Sequence, residues 1–566
     1  MLQKTRIVLG LMVACALLWP ASAAYAQGVT TGSINGTVND AQGLAVPGAT
    51  ITAVHEPSGT SYEAVARADG RFSIPAMRVG GPYTVAAALT GFQPHVMKNV
   101  VVTLGVATDL SLKLENVTLA ESVTVTAQAD ALFSSGRTGA VTSVSREILA
   151  SIPTISGRLS DVERLTPQAS GTSFAGQDNR LNNITVDGSY FNNSFGLQGQ
   201  PGERTGVAAI SLESIEQIQI SVAPFDVRQG NFVGAGVNTV TRSGANKLSG
   251  SIYHRFRNQD FVGTEAKGLP FNPGTFTFRN TGGWGSGPVV KNKLFVFGNY
   301  ENEADLRPIT TFTANAGGET VGGSKTRVLA SDLNQLSALL KSQFTYETGP
   351  YQNIDKETPA KRFLARMDYN IAKNHKVSFR YNYLDSLTDV LLSGSSSLGF
   401  GRGSGFSTTF LGYQNSNYQI MENIRSGIGE WNWIIGNNNA NSLITGYTTQ
   451  DESRNSRGAM FPLVDILDGS GTTYTSFGFE PFTPNNELRY KTFQLQDNFT
   501  KFGQKHTLTF GGSLERYRSE NVFFPGKQSA YVYNTLADFY ADAADLATNP
   551  NRTVSPITLR RFQVRY

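Results

Sequence analysis

Residues 363–383 alternate. Phe363, Ala365, Met367 and Tyr369 fall on one face of a predicted strand, while Arg366, Asp368 and Asn370 fall on the other with Leu364. After a short turn over 371–375, Val377, Phe379, Tyr381 and Tyr383 alternate with Lys376, Ser378, Arg380 and Asn382. A period of two is the mark of a strand with different surroundings on its two faces. Soluble sandwiches also alternate, but their water-facing side is not matched by aromatic-rich faces in one hairpin after another. Lipid on one side and water on the other accounts for both faces. Further hairpin turns are expected around 290–293, 436–440 and 502–505, whereas the connections 307–360, 386–419 and 453–487 are long. Short turns at one end and long loops at the other are the pattern of an outer-membrane barrel.

The earlier part of the chain reads differently. Across 31–115, strand-like runs of a few residues are separated by turn chemistry: 33–38 before Asn39-Asp40-Ala41-Gln42-Gly43, 49–54 before Glu56-Pro57-Ser58-Gly59, and 71–74 after Ala68-Asp69-Gly70. That spacing predicts a small β-sandwich. In the linker 116–130, Glu121-Ser122-Val123-Thr124-Val125-Thr126-Ala127 is β-branched and small, which suits a strand offered to a partner by edge pairing. Taken alone, such a run also fits the last strand of the sandwich. Residues 131–245 mix Gly-rich loops with short apolar runs, and Ile215, Ile218 and Ile220 fit a compact strand core.

Three resemblances rest on these residues. Gly36-Thr37-Val38, Val46-Pro47-Gly48-Ala49-Thr50, Asp69-Gly70-Arg71-Phe72 and Gly81-Pro82-Tyr83-Thr84-Val85 resemble the carboxypeptidase regulatory-like domain. This implies a transthyretin/Ig-like sandwich related to carbohydrate-binding folds, without catalytic residues. Residues 121–127 resemble the TonB box, the strand that TonB-dependent receptors offer to an inner-membrane-driven coupling protein. Ile184-Thr185-Val186-Asp187-Gly188, the run 214–220 and the run 234–244 resemble the plug domain of those receptors. The resemblance marks Asp187, Gly188, Glu216, Arg228, Gly234, Gly236, Asn238 and Arg242 as plug motif residues. The stretch Ala223-Pro224-Phe225-Asp226-Val227-Arg228-Gln229-Gly230 departs from the common plug pattern toward the Oar-like branch and weakens any expectation of a siderophore. The implied fold is all-β apart from an α+β plug: the sandwich, then the plug over 131–245, then an antiparallel transmembrane barrel over 246–566. The implied partners are a TonB-type protein with its motor, outer-membrane lipid, and an extracellular ligand such as a carbohydrate or peptide.

Composition narrows the function classes. The 566 residues carry 48 basic and 44 acidic side chains, a formal net charge of +4, with no basic block, so nucleic acid is not an expected partner. Mean hydropathy is −0.21 and past residue 20 no apolar run reaches the length of a helical span. Lys4 and Arg6, the apolar run 7–19 and Ala24-Tyr25-Ala26 predict a signal peptide over 1–26, and hence export in a Gram-negative bacterium. The single cysteine, Cys15, lies within it, which leaves no disulfide or thiolate site for the mature chain. Aromatic residues number four over 27–130, seven over 131–245 and 46 over 246–566, as expected if rings form girdles in the last region. The five histidines are scattered and no nucleophile or phosphate-loop motif is present, so no enzyme, metal or cofactor is expected. The glycine-rich run 399–405 reads as a loop.

The expected function is energy-coupled uptake of a ligand too large for porins, whether oligosaccharide, peptide or metal chelate. The alternatives are an adhesin or a passive porin-like channel with a carbohydrate-binding-like periplasmic domain. About ten strands fit after residue 246, against about 22 in such transporters, so the chain is expected to be an N-terminal fragment lacking the rest of the barrel. Alternation of Phe562, Val564 and Tyr566 leaves a complete small barrel as the other expectation.

Overall fold

The computed structural model describes residues 29–116, 124–125, 140–154, 157–193, 195–196, 199–224, 226–270, 273–395, 406–504 and 506–564. The signal segment expected over 1–26 lies outside them, as do the run 399–405, Tyr566, and Glu121, Ser122, Val123, Thr126 and Ala127 of the linker.

The first module is a sandwich. One sheet places Arg71–Met77 antiparallel and Ala107–Lys113 parallel to Gly32–Asn39; the other runs in the order Thr124–Val125, His95–Val102, Gly80–Ala88, Thr50–His55, Thr60–Val65. Alternate residues of each strand point between the sheets, so Ile34, Val38, Ile51, Phe72, Ile74, Tyr83, Val85 and Leu112 form one core. Burying each such side chain contributes about 1.5–3 kcal/mol.

The inner module has a five-stranded sheet ordered Ala140–Ser145, Ile215–Val222, Gly236–Thr241, Asn183–Val186, Ser189–Tyr190, with short helices at Arg146–Ser151 and Leu159–Glu163. Its two central strands, Ile215–Val222 and Gly236–Thr241, are buried on nearly every residue of both faces, polar Gln217, Gln219, Asn238 and Thr239 included, as expected of strands covered on both sides.

The third module is an antiparallel wall. Its path is Ser249–Asn258, Thr277–Val290, Leu294–Pro308, Asp355–Ala372, His375–Val390, Tyr418–Ile435, Asn439–Asp451, Asn486–Phe502, Thr507–Phe523, with Arg454–Ser456 added beside Tyr418–Ile435. Neighbours in sequence are neighbours in the sheet, and four of the connections are tight turns at the same end. Phe363, Met367 and Phe379 are exposed on the outer face, whereas Arg362, Arg380, Asn382, Gln494 and Gln496 are buried on the inner one. The inner module packs into this concave polar face: Ala360, Leu384 and Ile424 of the wall share a core with Val144, Ile184, Ile218, Ile220 and Val237.

The long connections are not open loops. They build a shared cap with a four-stranded sheet, Thr473–Phe477, Leu463–Leu467, Ala530–Tyr533, Arg561–Gln563, and two helices, Ala330–Phe344 and Leu536–Thr548. Leu333, Leu336 and Leu340, spaced by helical turns, are its buried stripe. The last described strand therefore differs from expectation: Phe562 pairs with Tyr531 in the cap and not with a wall strand. Three residues of alternation do not distinguish a barrel strand from any other half-exposed strand. Among the described residues, the strands at the two ends of the wall pair on one side only.

Candidate functional site

The junction between the inner module and the wall is built on one turn. Asp187 and Gly188 link Asn183–Val186 to Ser189–Tyr190 with φ of +47° and +76°. Positive φ at both central residues defines the tight hairpin turn for which Asp-Gly is a preferred pair. The turn carries Asp187 into the wall. Its Oδ1 accepts the Thr241 amide at 2.9 Å and its Oδ2 the Thr241 hydroxyl at 2.5 Å. Arg366 Nη1 donates to Oδ1 at 3.1 Å, and Arg380 Nε lies 3.2 Å from Oδ2. Arg366 also pairs with Asp368 at 2.9 Å. Arg380 is 1 % exposed and its three guanidinium nitrogens have no hydrogen-bond partner, so Asp187 supplies its compensating charge. Gln494 brackets the same turn, accepting the Tyr190 amide at 2.9 Å and donating to the Gly188 carbonyl at 2.8 Å. A Cβ at Gly188 would lie 2.9 Å from Ile444 Cδ1 and from Thr30 Cγ2, which adds a packing reason to the conformational one.

Two further clusters of contacts tie the module to the wall. The Gly202 amide donates to Glu422 Oε1 at 2.5 Å, Arg204 pairs with Glu452 at 2.8 Å, and the Thr205 and Ser386 hydroxyls are 2.9 Å apart. On another side Arg362 bridges Glu301 and Glu303 at 2.7 and 2.5 Å and donates to the Ala208 carbonyl at 3.1 Å, while Ser211 donates to Glu301 at 2.7 Å. Within the module, Glu163 is buried and accepts two bonds from Gln200 at 2.7 and 2.6 Å; burial pushes its carboxyl up to about 7.

The expected motif residues divide into three groups. Asp187 and Gly188 form the junction, and Asn238 lies inside the module, accepting from the Thr185 hydroxyl at 2.9 Å and donating to Gln219 at 3.3 Å. Gly234 and Gly236 allow close packing on Asn182 and Phe232. Glu216 and Arg242 turn away, toward the sandwich; Arg242 stacks 3.6 Å over Trp284, and burial, with Arg146 nearby, lowers its guanidinium to about 10. Arg228 joins none of these. It stays exposed and closes a local pair with Asp226 at 2.8 Å, since its turn lies on the outside of the module. Of the run 121–127 expected as a coupling strand, Thr124 and Val125 are described, and they pair in parallel with Val96 and Met97 at the sandwich edge. Sequence reasoning placed Arg366, Asp368 and Arg380 on a polar strand face but not in the site; the signal was charge at inward positions of otherwise aromatic hairpins. No group of three or more metal-ligating side chains occurs among the described residues.

The sandwich touches the same end of the wall as the tight turns. Lys373 pairs with Glu63 at 2.8 Å, Asn370 donates to the Thr60 hydroxyl at 2.9 Å, and the Asn246 amide donates to the Pro57 carbonyl at 2.8 Å.

Comparison with known proteins gives two domain matches: the carboxypeptidase regulatory-like domain over residues 33–115 and the outer membrane beta barrel domain over residues 240–564. The TonB-dependent transporter Oar of Myxococcus xanthus is 24 % identical over 398 residues, which are 66 % of this chain and 35 % of that protein. Among solved structures, the outer membrane transporter YddB from Escherichia coli aligns over 70 % of this chain and 50 % of its own, with 11 % identity and a TM-score of 0.47. The siderophore receptor PirA from Acinetobacter baumannii aligns over 68 % of this chain and 48 % of its own, with 15 % identity and a TM-score of 0.40. The chain spans about a third of the length of the curated relative and about half of the solved ones.

Proposed function

Because the chain belongs to the outer membrane beta barrel domain family, we propose that it forms the receptor part of an energy-coupled outer-membrane transporter. In this reading the inner module is the plug, the sandwich and tight turns face the periplasm, and the cap faces outward. The ligand is one too large for a passive pore: an oligosaccharide, a peptide or a metal chelate. The observation that carries the reading is the ionic seat of the inner module. Asp187 pairs with two wall arginines, the buried Arg380 and Arg366, whose charge it shares with Asp368, so the module is held in the lumen by contacts that a pull can break and that re-form without covalent change. A passive channel has no need of a separate domain seated in its lumen.

No nucleotide-binding loop is present in the sequence, so the work of unseating the module has to come from a partner, and a TonB-type protein pairing with 121–127 fits that task. The closing experiment deletes residues 121–127 in cells and follows uptake of labelled oligosaccharides, peptides and ferric chelates at matched surface levels. Loss of accumulation with retained surface binding is expected. Unchanged uptake would sink the coupled reading in favour of a passive channel, and binding without uptake by the intact protein would leave an adhesin.

A further inference from the structure

Where sandwich, inner module and wall meet lies a polar cavity of about 290 Å³, far above the roughly 15 Å³ that one water needs. Cations from all three modules line it: Arg78 from the sandwich, Arg146 and Arg242 from the inner module, and Lys376 from the wall. Their partners on the protein are neutral. Arg78 donates to the Gly244 carbonyl at 2.8 Å, Arg242 to the Glu213 carbonyl at 3.0 Å, and Lys376 to the Lys373 carbonyl at 2.7 Å while lying 4.2 Å over the Tyr62 ring. Arg146 and Arg242 share Trp284, at 5.7 and 3.6 Å from its ring centre. Among the described residues, none of the four has a carboxylate oxygen within 4.0 Å.

Three carboxylates also face the cavity, and each has a reason not to compensate them. Asp368 is held by Arg366 at 2.9 Å and by the Ser243 hydroxyl. Glu430 accepts from Thr30 at 2.6 Å and from Asn432 at 2.9 Å. Glu216 stands beyond ion-pair reach, and burial raises its carboxyl above the ordinary range despite the three nearby arginines. Gathered cations in a half-enclosed polar space repel one another, and the repulsion is stronger than in open water. A ligand with several charged acceptor oxygens relieves it through charge-assisted bonds.

We propose that this cavity is a binding site for a small, multiply charged oxyanion of the phosphate class. The anion bridges the three modules. Arg78 leaves with the sandwich when that module lifts, so anion binding and sandwich docking favour each other by linkage. The site lies at the tight-turn end of the wall, opposite the cap.

The test is isothermal titration of the full chain in detergent with inorganic pyrophosphate at low ionic strength, with hydrogen exchange followed at the Asn246 amide, which donates to Pro57 of the sandwich. One saturable site is expected, with slower Asn246 exchange when it is filled. Arg146→Ala should weaken binding by about tenfold or more, the loss of one charge-assisted contact. Arg146→Lys should recover part of it, which separates lost charge from lost folding, and Glu216→Gln should tighten it several-fold. Arg71→Ala, on the exposed side of the sandwich, should change nothing. Absence of saturable heat, or equal binding by wild type and Arg146→Ala, overturns the site. Dihexanoyl phosphatidic acid titrated in parallel distinguishes the source: tighter binding of the lipid than of pyrophosphate would overturn assignment to a free anion.

Discussion

Asp187 concentrates the consequences of the seat in a single side chain. Arg380 already lacks hydrogen-bond partners for its guanidinium nitrogens among the described residues, so removal of Asp187 takes away its counter-charge as well and leaves Arg366 paired with Asp368 alone. Breaking a buried pair by deleting one partner typically costs about 3–5 kcal/mol. Asp187→Ala should therefore lower the protection of the inner module's amides by about that amount in native-state hydrogen exchange, while the wall strands keep theirs. The Arg228–Asp226 pair, whose arginine is exposed and makes no contact with the seat, is the internal control, because Arg228→Ala should stay within about 0.5 kcal/mol. A second prediction concerns His55 in the sandwich. Its Nδ1 is 2.7 Å from the Ser58 hydroxyl, and burial first, then Arg78, lowers its pKa to about 3. The unfolded chain takes up the proton near 6.5 and the folded chain only near 3, so stability is full above about pH 6.5 and falls as pH drops toward 3, by up to about 1.4 kcal/mol per pH unit. Exchange protection of Thr50–His55, followed from pH 7 to 5, should decline in wild type and stay flat in His55→Gln; a flat wild type would show that the ring is protonated in the folded state. Asp187 was legible in the sequence as half of an Asp-Gly turn. Its wall partners were not, because nothing local links residue 187 to 366 and 380.

Elements were legible where one face of a strand differs from the other. Phe363, Met367 and Phe379 alternate with Arg362, Arg366 and Arg380, and both the hairpin and its facing follow from that pattern alone. The same reasoning missed the helix Ala330–Phe344 inside a stretch read as loop, although Leu333, Leu336 and Leu340 already marked a stripe at helical spacing. The alternation of Phe562, Val564 and Tyr566 also left a complete small barrel as the other expectation, whereas Phe562 lies in a strand, Arg561–Gln563, paired with Ala530–Tyr533. Both cases belong to the cap, whose core joins three connections between wall strands and the segment 524–564 that follows Thr507–Phe523, so no single segment carries a long periodic signal. Facing has an energetic test. Phe363 is 39 % exposed on the outer side, nine residues before the end of its strand. Phe363→Arg should cost about 2–4 kcal/mol if that side meets the middle of the bilayer, read as a lower urea midpoint for folding into lipid vesicles. The same substitution at exposed Val321 of the cap should have little effect, and equal costs at both positions would place Phe363 outside the hydrocarbon layer.

For the whole molecule, the relation of the sandwich to the inner module decides how a pull on the linker is transmitted. Surface ion pairs hold it only weakly: Lys373 and Glu63 are both exposed, and such pairs contribute about 0–1 kcal/mol. The firmer contact is a small apolar cluster of Val29, Val79, Leu104 and Val240, flanked by Gln217 and Gln219, which bond the Leu104 amide and carbonyl at 3.0 and 2.8 Å. Leu104 is fully buried there and lies between the strands His95–Val102 and Ala107–Lys113, outside the main sandwich core. Thr124 and Val125 pair with His95–Val102, the strand that leads to Leu104, so the linker is joined to the sandwich on the side of this cluster. Truncating Leu104 to Ala should remove about 2–5 kcal/mol of packing from the docking contact. The sandwich should then separate without unfolding: exchange should quicken at the Leu104 and Asn246 amides, and protease should cut near the linker, while Ile51 and Val85 in the sandwich core stay protected. If core and contact lose protection together, the sandwich depends on its neighbour to fold, and the two must be regarded as one mechanical unit.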